Sequence, residues 1–546
     1  MANPSLQIGN SNWAIKEDNL LGYSTAGTRF LPQPITMTRA SAGTRVNPQG
    51  LVETVELLGS EEVTCGDFAC ANPDAVWNRG TGWTISGGSA NCDGSQSSQS
   101  NLYQTGIVPI NISYKVTFTT TVSAGGVTLA IGGSNAQTIT TESGTYTFTS
   151  KATSGDSNFY FSANSDFIGS ISNVSVKEST RNNLARVDYD GTASSLLVEP
   201  QRTNNIQYSE DFTQSYWRKD KVTVTANSII SPSGQLNASL IQETVYTSSL
   251  PSFDLSGVIT LSAGTYTYTF YVKNNNGRYL GISFGSSGER VRTNFDFTTN
   301  TFKTLIFSGT TTGTASFTTL GDFYRITITA TFPSSTSADT VLMPLATDTY
   351  PFYAFQDSDN RSFYLWGAQL EIGSYPTSYI PTDGSTVTRV QDQYSKTGIS
   401  NLINSEEGVL FLEMAALSNS GNYRLITLSD GTTSNRVFIG FRLDTGYIYY
   451  FVIVGGSTVA SHITSTTSLD FSKVAVKWKA NDFALWINGS EISTDTSGSS
   501  FTANTLNTLQ MNEGDGSGFE FHGKVKQLQV FKTALTDTEL ATLTTI

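Results

Sequence analysis

The sequence predicts an all-β protein of tandem antiparallel sandwiches, on three observations. First, charged residues make up only 14% of the 546 residues, against about 25% in an ordinary soluble domain. Thr, Ser, Gly and Asn take their place, and these residues favour pleated surfaces and tight turns over helix interiors. Second, runs such as Ser113–Val122 (SYKVTFTTTV), Thr265–Lys273 (TYTYTFYVK) and Arg325–Thr331 (RITITAT) alternate with a period of two, which gives each strand one buried and one solvated face. Third, Gly, Asn-Gly and Ser-Gly turns punctuate these runs throughout, the spacing of a many-stranded sandwich rather than of βαβ units. A chain of this length exceeds one core and divides into roughly three to four units.

Composition also excludes functions. A net charge of −13 and a pI near 4.7 leave no basic footprint for nucleic acid. No apolar run approaches the ~20 residues that cross a bilayer, so membrane insertion is not expected. The N-terminal MANPSLQIGNSNWAIKEDN carries no basic stretch followed by an apolar one, which points to synthesis and assembly in the cytoplasm. The three cysteines, Cys65, Cys70 and Cys92, are too few for a disulfide-stapled fold and are expected as plain thiols, with a Cys65–Cys70 or Cys70–Cys92 bridge open to them in an oxidising medium.

A weak repeat organises the first two thirds. One copy opens on Gly66-Asp67-Phe68, continues through Trp77 and the Tyr114 strand, and closes with FIGSISNVSVKE (Phe167–Glu178). The other opens on Glu210-Asp211-Phe212, continues through Trp217 and the Tyr266 strand, and closes with FYLWGAQLEIG (Phe363–Gly373). Aligning the closing strands sets Asn173-Val174-Ser175-Val176 on Gln369-Leu370-Glu371-Ile372. Each copy is the trace an eight-to-nine-strand jelly roll leaves, giving sandwiches at 61–179, inserted, and 205–380. Around them, Met37–Glu53, Arg186–Arg202 and Gly384–Tyr394 rhyme as Arg-rich, short-strand segments. They read as a platform packed between sandwiches or subunits: 1–60 as an N-terminal anchoring segment, 180–204 as platform or linker, and 381–400 as linker.

The last block, 401–546, runs from the apolar strand Gly408–Leu417 through Asn435–Leu443, Tyr447–Val454, Lys473–Trp478 and Phe483–Ile487. It ends on one short helix, whose start is marked by a Thr536/Glu539 capping box and a Leu535/Leu540 staple. Phe521–Val525, Val530-Phe531, Ala534–Thr536 and Glu539-Leu540, together with the Phe483–Gly489 hairpin (FALWING), resemble a concanavalin A-like, laminin-G-type lectin sandwich. Leu196–Asn204 (LLVEPQRTN), Tyr208–Trp217 (YSEDFTQSYW) and Tyr364–Arg389 (YLWGAQLEIGSYPTSYIPTDGSTVTR) resemble a module of tailed-bacteriophage structural proteins with carbohydrate-binding-module-like sandwiches. These resemblances imply a virion protein of tail-fibre or head-fibre type, assembled in the host cytoplasm. Its partners would be other virion proteins, copies of itself (a trimer being the usual fibre symmetry) and host-surface glycans. An architectural decoration protein and, third, a polysaccharide depolymerase are the alternatives.

No catalytic constellation is expected. Two histidines in the whole chain leave little for a triad, and the G-x-S-x-G, P-loop, G-x-G-x-x-G and H-E-x-x-H patterns are absent from the sequence. The last domain carries single strand acids such as Glu413 and Asp444, without the spacing that points several carboxylates into one cleft. Sugars stack their C–H faces on aromatic rings and take polar partners at the rim. The candidates for that role are Trp77, Trp83 and Tyr103 in the first jelly roll, and Tyr216, Trp217, Arg278 and Tyr279 in the second. Each has core packing as its plainer reading, and Arg278-Tyr279 stands out because it follows the turn Asn274–Gly277. No cofactor is implied, although Asp357, Asp359 and Asn360, or Asp430 beside Gly431, offer oxygens of the kind a structural Ca²⁺ takes; solvated turn acids are the plainer reading.

Overall fold

A computed structural model describes the chain apart from residues 11–12, 17–18, 22, 25–28, 31–34, 133, 139–142, 154–155, 245–251, 256–258, 287, 346–359, 420, 444 and 468. Residues 14–16, 19–21, 23–24, 29–30, 134–138 and 252–255 are described by their backbone course. The protein is all-β, with two jelly-roll sandwiches followed by a concanavalin A-like sandwich. Glu56–Arg181 forms one compact unit, and Met1–Val55 together with Asn182–Ile546 forms another.

In the unit Glu56–Arg181, one sheet runs in the order Trp83–Ser86, Ser89–Asp93, Ile168–Thr180, Ser113–Ala124, Gly144–Lys151, with Leu57–Glu61 added along Ile168–Thr180. The facing sheet runs Asn78–Arg79, Ser100–Gln104, Phe159–Ala163, Val127–Ile131, Ser134–Thr138. Alternation decides which side chains meet. Tyr114, Val116 and Phe118 point inward from one sheet and Leu129, Phe159 and Phe161 from the other, all at most 1% exposed. Phe118 meets Phe161 edge-on at 4.9 Å. Cys65 and Cys70 are joined by a disulfide and Cys92 stays free and buried, which corrects the expectation of three plain thiols. Cys65 sits at φ 57°, in a tight turn that folds the chain back towards Cys70.

The second jelly roll repeats this construction. Its sheets run Trp217–Asp220, Ser252–Leu255, Thr336–Leu345, Tyr279–Gly285, Arg290–Asp296, Thr301–Phe302 and Val222–Ile230, Leu236–Glu243, Ser362–Ile372, Gly264–Asn274, Phe323–Phe332, Thr312–Leu320. Both copies open on the same device. Asp67 and Asp211 each accept a hydrogen bond from the amide two residues on (3.0 Å in both). The following Phe68 and Phe212 pack on Trp77 and Trp217 at 4.9 and 5.1 Å. Each indole then donates back to the start of the motif, Trp77 to the Cys65 carbonyl and Trp217 to that of Tyr208, both at 3.0 Å.

Both closing strands carry a β-bulge, and it corrects the alignment. In the first copy the register slips between Thr117/Ser175 and Thr119/Ser172, with Asn173 at φ 53°. In the second it slips between Thr269/Gln369 and Tyr271/Trp366, with Gly367 at φ 66°. Asn173 is therefore equivalent to Gly367, not Gln369, and Val176 to Leu370 (both 0% exposed), while Ile372 is 53% exposed. A two-residue shift leaves the inward and outward faces unchanged, so alternation alone does not detect it.

The C-terminal sandwich has one sheet ordered Ser490–Asp495, Phe483–Ile487, Ser472–Lys479, Glu407–Ala416, Gly523–Phe531. Its facing sheet is Thr508–Gln510, Arg424–Ser429, Arg436–Phe441, Tyr447–Val454, Ser457–Thr467. The segments read as anchor, platform and linker complete it. Leu6–Gly9 and Ala193–Val198 both pair with Gly523–Phe531, at residues 527–530 and 523–525 respectively. Ile35–Thr38 and Gln393–Lys396 continue the facing sheet from Thr508–Gln510. The cause lies in their inward positions: Leu6, Ile8, Ile35, Met37, Leu196, Val198 and Tyr394 enter the same core as Leu410, Trp478 and Leu528.

The Arg-rich character of these segments is also explained. Arg39 pairs with Asp392 at 2.7 Å, Arg186 with Asp392 and with Glu199 (2.5 Å to Glu199), and Arg389 with Glu199 at 3.0 Å; every one of these side chains is at most 3% exposed. Ser378 adds its amide and hydroxyl to Glu199 at 2.8 and 2.7 Å. Burial opposes ionisation of both carboxyls. The surrounding arginines outweigh it, with help from Ser378 at Glu199, and hold Glu199 and Asp392 below the usual carboxylate range.

Among the described residues the one α-helix, Asp537–Thr544, starts as the sequence predicts. Thr536 accepts from the Glu539 amide, and the Glu539 carboxylate returns to the Thr536 amide at 3.0 Å. Leu535 and Leu540 are both buried against Phe411, Ala484 and Trp486. Thr536→Ala should lower the opening free energy of the first-turn amides by about 1 kcal/mol, measured by native-state hydrogen exchange, with the sandwich amides unchanged.

Candidate functional site

A sugar-stacking ring must offer one face to solvent, and that requirement sorts the aromatic candidates. Trp77, Trp83 and Trp217 are 2%, 4% and 2% exposed. Trp83 packs on Phe167 at 5.8 Å and donates to the Ser100 carbonyl, while Trp77 and Trp217 close the opening motifs described above. Their faces are spent on the core, because a large ring in an alternating sandwich gains most by inward burial. Tyr279 is 5% exposed, its ring covered by the Arg278 guanidinium at 4.8 Å and the Lys303 ammonium at 5.7 Å. Arg278 itself is exposed but tied to Asp296 at 3.1 Å. Tyr216 is half-buried between Tyr208 and Trp217, at 5.9 and 5.4 Å. These findings remove Trp77, Trp83, Trp217 and Tyr279 as stacking platforms.

Tyr103, Tyr216 and Arg278 are not removed in this way, and the structure gives Tyr103 a neighbour. It pairs across strands with Tyr160, their ring centroids 5.2 Å apart, both half-buried on the outward side of their sheet. The Tyr160 hydroxyl donates to Asp156 and accepts from the Asn158 amide at 2.7 Å. Burial and the hydrogen bond to Asp156 raise its pKa. The signal for Tyr160 was present in Phe159-Tyr160-Phe161, where alternation sends the middle ring outward.

The Arg278 loop adjoins a second feature. A cleft of about 510 Å³ is lined by Lys273, Asn274, Phe297, Thr319, Asp322 and Tyr324. Its aromatic side is Phe297 and Tyr324, 5.9 Å apart. Its polar side is the ion pair of Lys273 with Asp322 at 2.8 Å, whose hydrogen bond and charge hold the Asp322 carboxyl below its ordinary value. Asn274 is held in place because its side-chain oxygen accepts from the Gly277 amide at 3.1 Å. The Phe297 amide donates to the Arg278 carbonyl at 3.0 Å, so the Asn274–Gly277 turn and the Phe297 loop form one end of the sandwich. Sequence reading found the turn but not Lys273, Asp322 or Tyr324, which lie about fifty residues apart and meet only because Gly264–Asn274 pairs with Phe323–Phe332.

The remaining candidates are accounted for as follows. Asp430 accepts from Thr432 (amide 2.9 Å, hydroxyl 2.6 Å) and from Asn435 at 2.8 Å, the bonding of a turn acid. Asp357 and Asp359 lie outside the described residues, as does Asp444. Among the described residues no group of three His, Cys, Asp or Glu side chains is placed to hold a metal. Glu413 accepts from Gln527 at 2.8 Å and lies 3.6 Å from the Lys526 ammonium.

This architecture defines a class: a multi-sandwich protein whose last described domain is a concanavalin A-like sandwich. Residues 411–541 match the family model of the Concanavalin A-like lectin/glucanases superfamily. No curated protein matches the chain. Among solved structures, the chain is similar to CBM40 of the Ruminococcus gnavus IT-sialidase, in a form bound to alpha2,3 sialyllactose. That match has 18% identity and a TM-score of 0.23, over 26% of this chain and 83% of that one. It is also similar to the CBM22-1-CBM22-2 tandem domain of Paenibacillus barcinonensis Xyn10C, at 11% identity and a TM-score of 0.20, over 61% of this chain and 100% of that one. Superpositions this loose define neither a ligand nor a ligand site.

Proposed function

We propose that the protein is a glycan-binding structural component of a tailed-bacteriophage virion, of fibre or adhesin type, that displays its sandwiches for attachment to the host surface. The observation that carries the binding half of this reading is the end cleft of the second jelly roll. There two aromatic rings stand beside Lys273, Asp322 and Asn274, the combination of apolar wall and few convergent polar groups that orients a saccharide. The Tyr103–Tyr160 pair offers a second surface of the same chemistry.

The virion half rests on the strings that resemble phage structural proteins, and these strings have a common task in the fold. Asn204 donates to the Ala368 and Ile380 carbonyls (3.1 and 2.9 Å) and accepts from the Leu370 and Ile206 amides (3.0 and 3.1 Å). Gln369 accepts from the Ile380 amide, and Glu371 takes the Thr377 amide and hydroxyl. These bonds tie the strand Ser362–Ile372 to the stretch 377–380, and Glu199 and Arg389 on either side of the jelly roll both bond Ser378 in that stretch. The chain acts here by binding rather than cleavage, and assembles with copies of itself, as a trimer, and with other virion proteins.

Purified protein should adsorb to host cells and should release no reducing ends from their capsule. Antibodies against it should label tailed particles in immunogold images. Unlabelled particles would remove the virion assignment, and labelled particles with no adsorption would leave an architectural protein. Release of reducing ends would make it a depolymerase.

A further inference from the structure

A second cleft, of about 430 Å³, lies where the second jelly roll meets the C-terminal sandwich, and its lining includes Arg202, Tyr375, Tyr423, Arg424, Phe519 and His522. Its cations are under-used. Arg424 is 4% exposed, donates one nitrogen to the Ser418 carbonyl at 2.7 Å, and leaves Nε and Nη2 without a hydrogen-bond partner. His522 Nε2 and Arg202 Nε likewise have none, Arg202 Nε lying 3.8 Å from Glu371. A buried donor left unpaired costs about 1–3 kcal/mol, and here several border one cavity. Burial keeps the His522 imidazole neutral, its pKa pushed down to about 4. It also raises Glu520, which shares the cleft, to about 7, so this carboxyl can present a proton near neutrality.

The rest of the cleft is aromatic. Tyr423 packs edge-on against Phe519 at 5.1 Å, and the Arg202 guanidinium lies 5.5 Å above the Tyr375 ring. Phe519 is 43% exposed and sits at φ 44°. For a bulky residue this is strained backbone, of the kind that concentrates at ligand clamps.

We propose that this cleft binds a carboxylate-bearing sugar ring, with Arg424, Arg202 and His522 on the carboxylate and Tyr423 and Phe519 against the ring. A guanidinium fork matches a carboxylate in two parallel hydrogen bonds, and an aromatic wall accepts the C–H face of a pyranose. The inference deepens the glycan-binding reading by naming a substrate class, and it uses a site separate from the Lys273–Asp322 cleft.

The test is calorimetric or saturation-transfer titration of the full chain with D-glucuronate, D-glucose and inorganic phosphate. Glucuronate should bind at least tenfold more tightly than glucose, and phosphate should compete weakly. Arg424→Gln should weaken glucuronate at least tenfold. Because Arg424 is buried, Tyr423→Ala serves as a second variant, and it should weaken glucuronate by a similar factor without unfolding the chain. Equal binding of glucuronate and glucose, or unchanged affinity in both variants, overturns the proposal. Phosphate binding as tight as glucuronate overturns it too, leaving a simple oxyanion site. Glycan binding that survives these failures and depends on Lys273 and Asp322 keeps the broader reading, whereas loss of all saccharide binding ends both.

Discussion

Asp392→Ala should destabilise the unit formed by Met1–Val55 and Asn182–Ile546 by about 3–5 kcal/mol, the cost of removing one partner from a buried ion cluster. The aspartate receives Arg39 and Arg186, and both of its partners are 0% exposed. Its removal leaves Arg39 with no carboxylate partner and Arg186 and Arg389 with Glu199 alone. Calorimetry should show an earlier transition for this unit, while the unit Glu56–Arg181 keeps its own. The pH dependence follows in sign. The folded pKa values of Glu199 and Asp392 are depressed, so their contribution is fully present above the unfolded values of about 4. It is lost as pH falls through the folded values. Wild-type protein should therefore lose stability in acid, and Asp392→Ala should lose less there because part of the effect is already gone. A variant as stable as wild type at neutral pH would show that the cluster does not hold these segments together. Such clusters are weak evidence for net stability relative to an apolar core; what this one secures is register among segments separated by more than three hundred residues.

Trp217→Ala should cost about 3–5 kcal/mol while leaving saccharide affinity per folded molecule unchanged. The indole is 2% exposed, packs on Phe212 at 5.1 Å and donates to the Tyr208 carbonyl. Truncation removes both the packing and a satisfied hydrogen bond. Denaturation of the variant and titration of its folded fraction separate the two roles. A stable variant that no longer binds sugar would place Trp217 on a ligand surface, contrary to its burial.

The contrast between these residues shows what was legible in the sequence. Strand positions follow from short apolar runs bounded by turns, a local property, so Tyr447–Val454 and Phe483–Ile487 fall where the sequence puts them. The helix start at Thr536 is legible for the same reason: its chemistry closes within four residues. The repeat was visible, but its register was not, because only the bulges at Asn173 and Gly367 separate alignments two residues apart. Arg39, Arg186 and Arg389 drew notice as a recurring Arg-rich pattern, yet their partners Glu199 and Asp392 did not. Pairing across such separations leaves no periodic trace. The candidate aromatics failed most often because a tryptophan reads the same in sequence whether its face meets a sugar or a phenylalanine. The surviving cleft is built from Lys273, Asp322 and Tyr324, ordinary residues made notable only by strand pairing.

Glycan binding at that cleft is the central claim, and a glycan array probed with wild-type protein and the Lys273→Ala/Asp322→Ala double variant tests it most directly. Asp322 is exposed and Lys273 only half-buried, so the fold should survive the change. Loss of their charge-assisted hydrogen bonds, about 1.5–3 kcal/mol, should weaken the recognised glycans roughly tenfold or more. Saturable binding to a defined set of bacterial surface glycans, reduced in the double variant, is the predicted result. No binding by the wild-type chain to any glycan, or binding that the double variant retains in full, would contradict it.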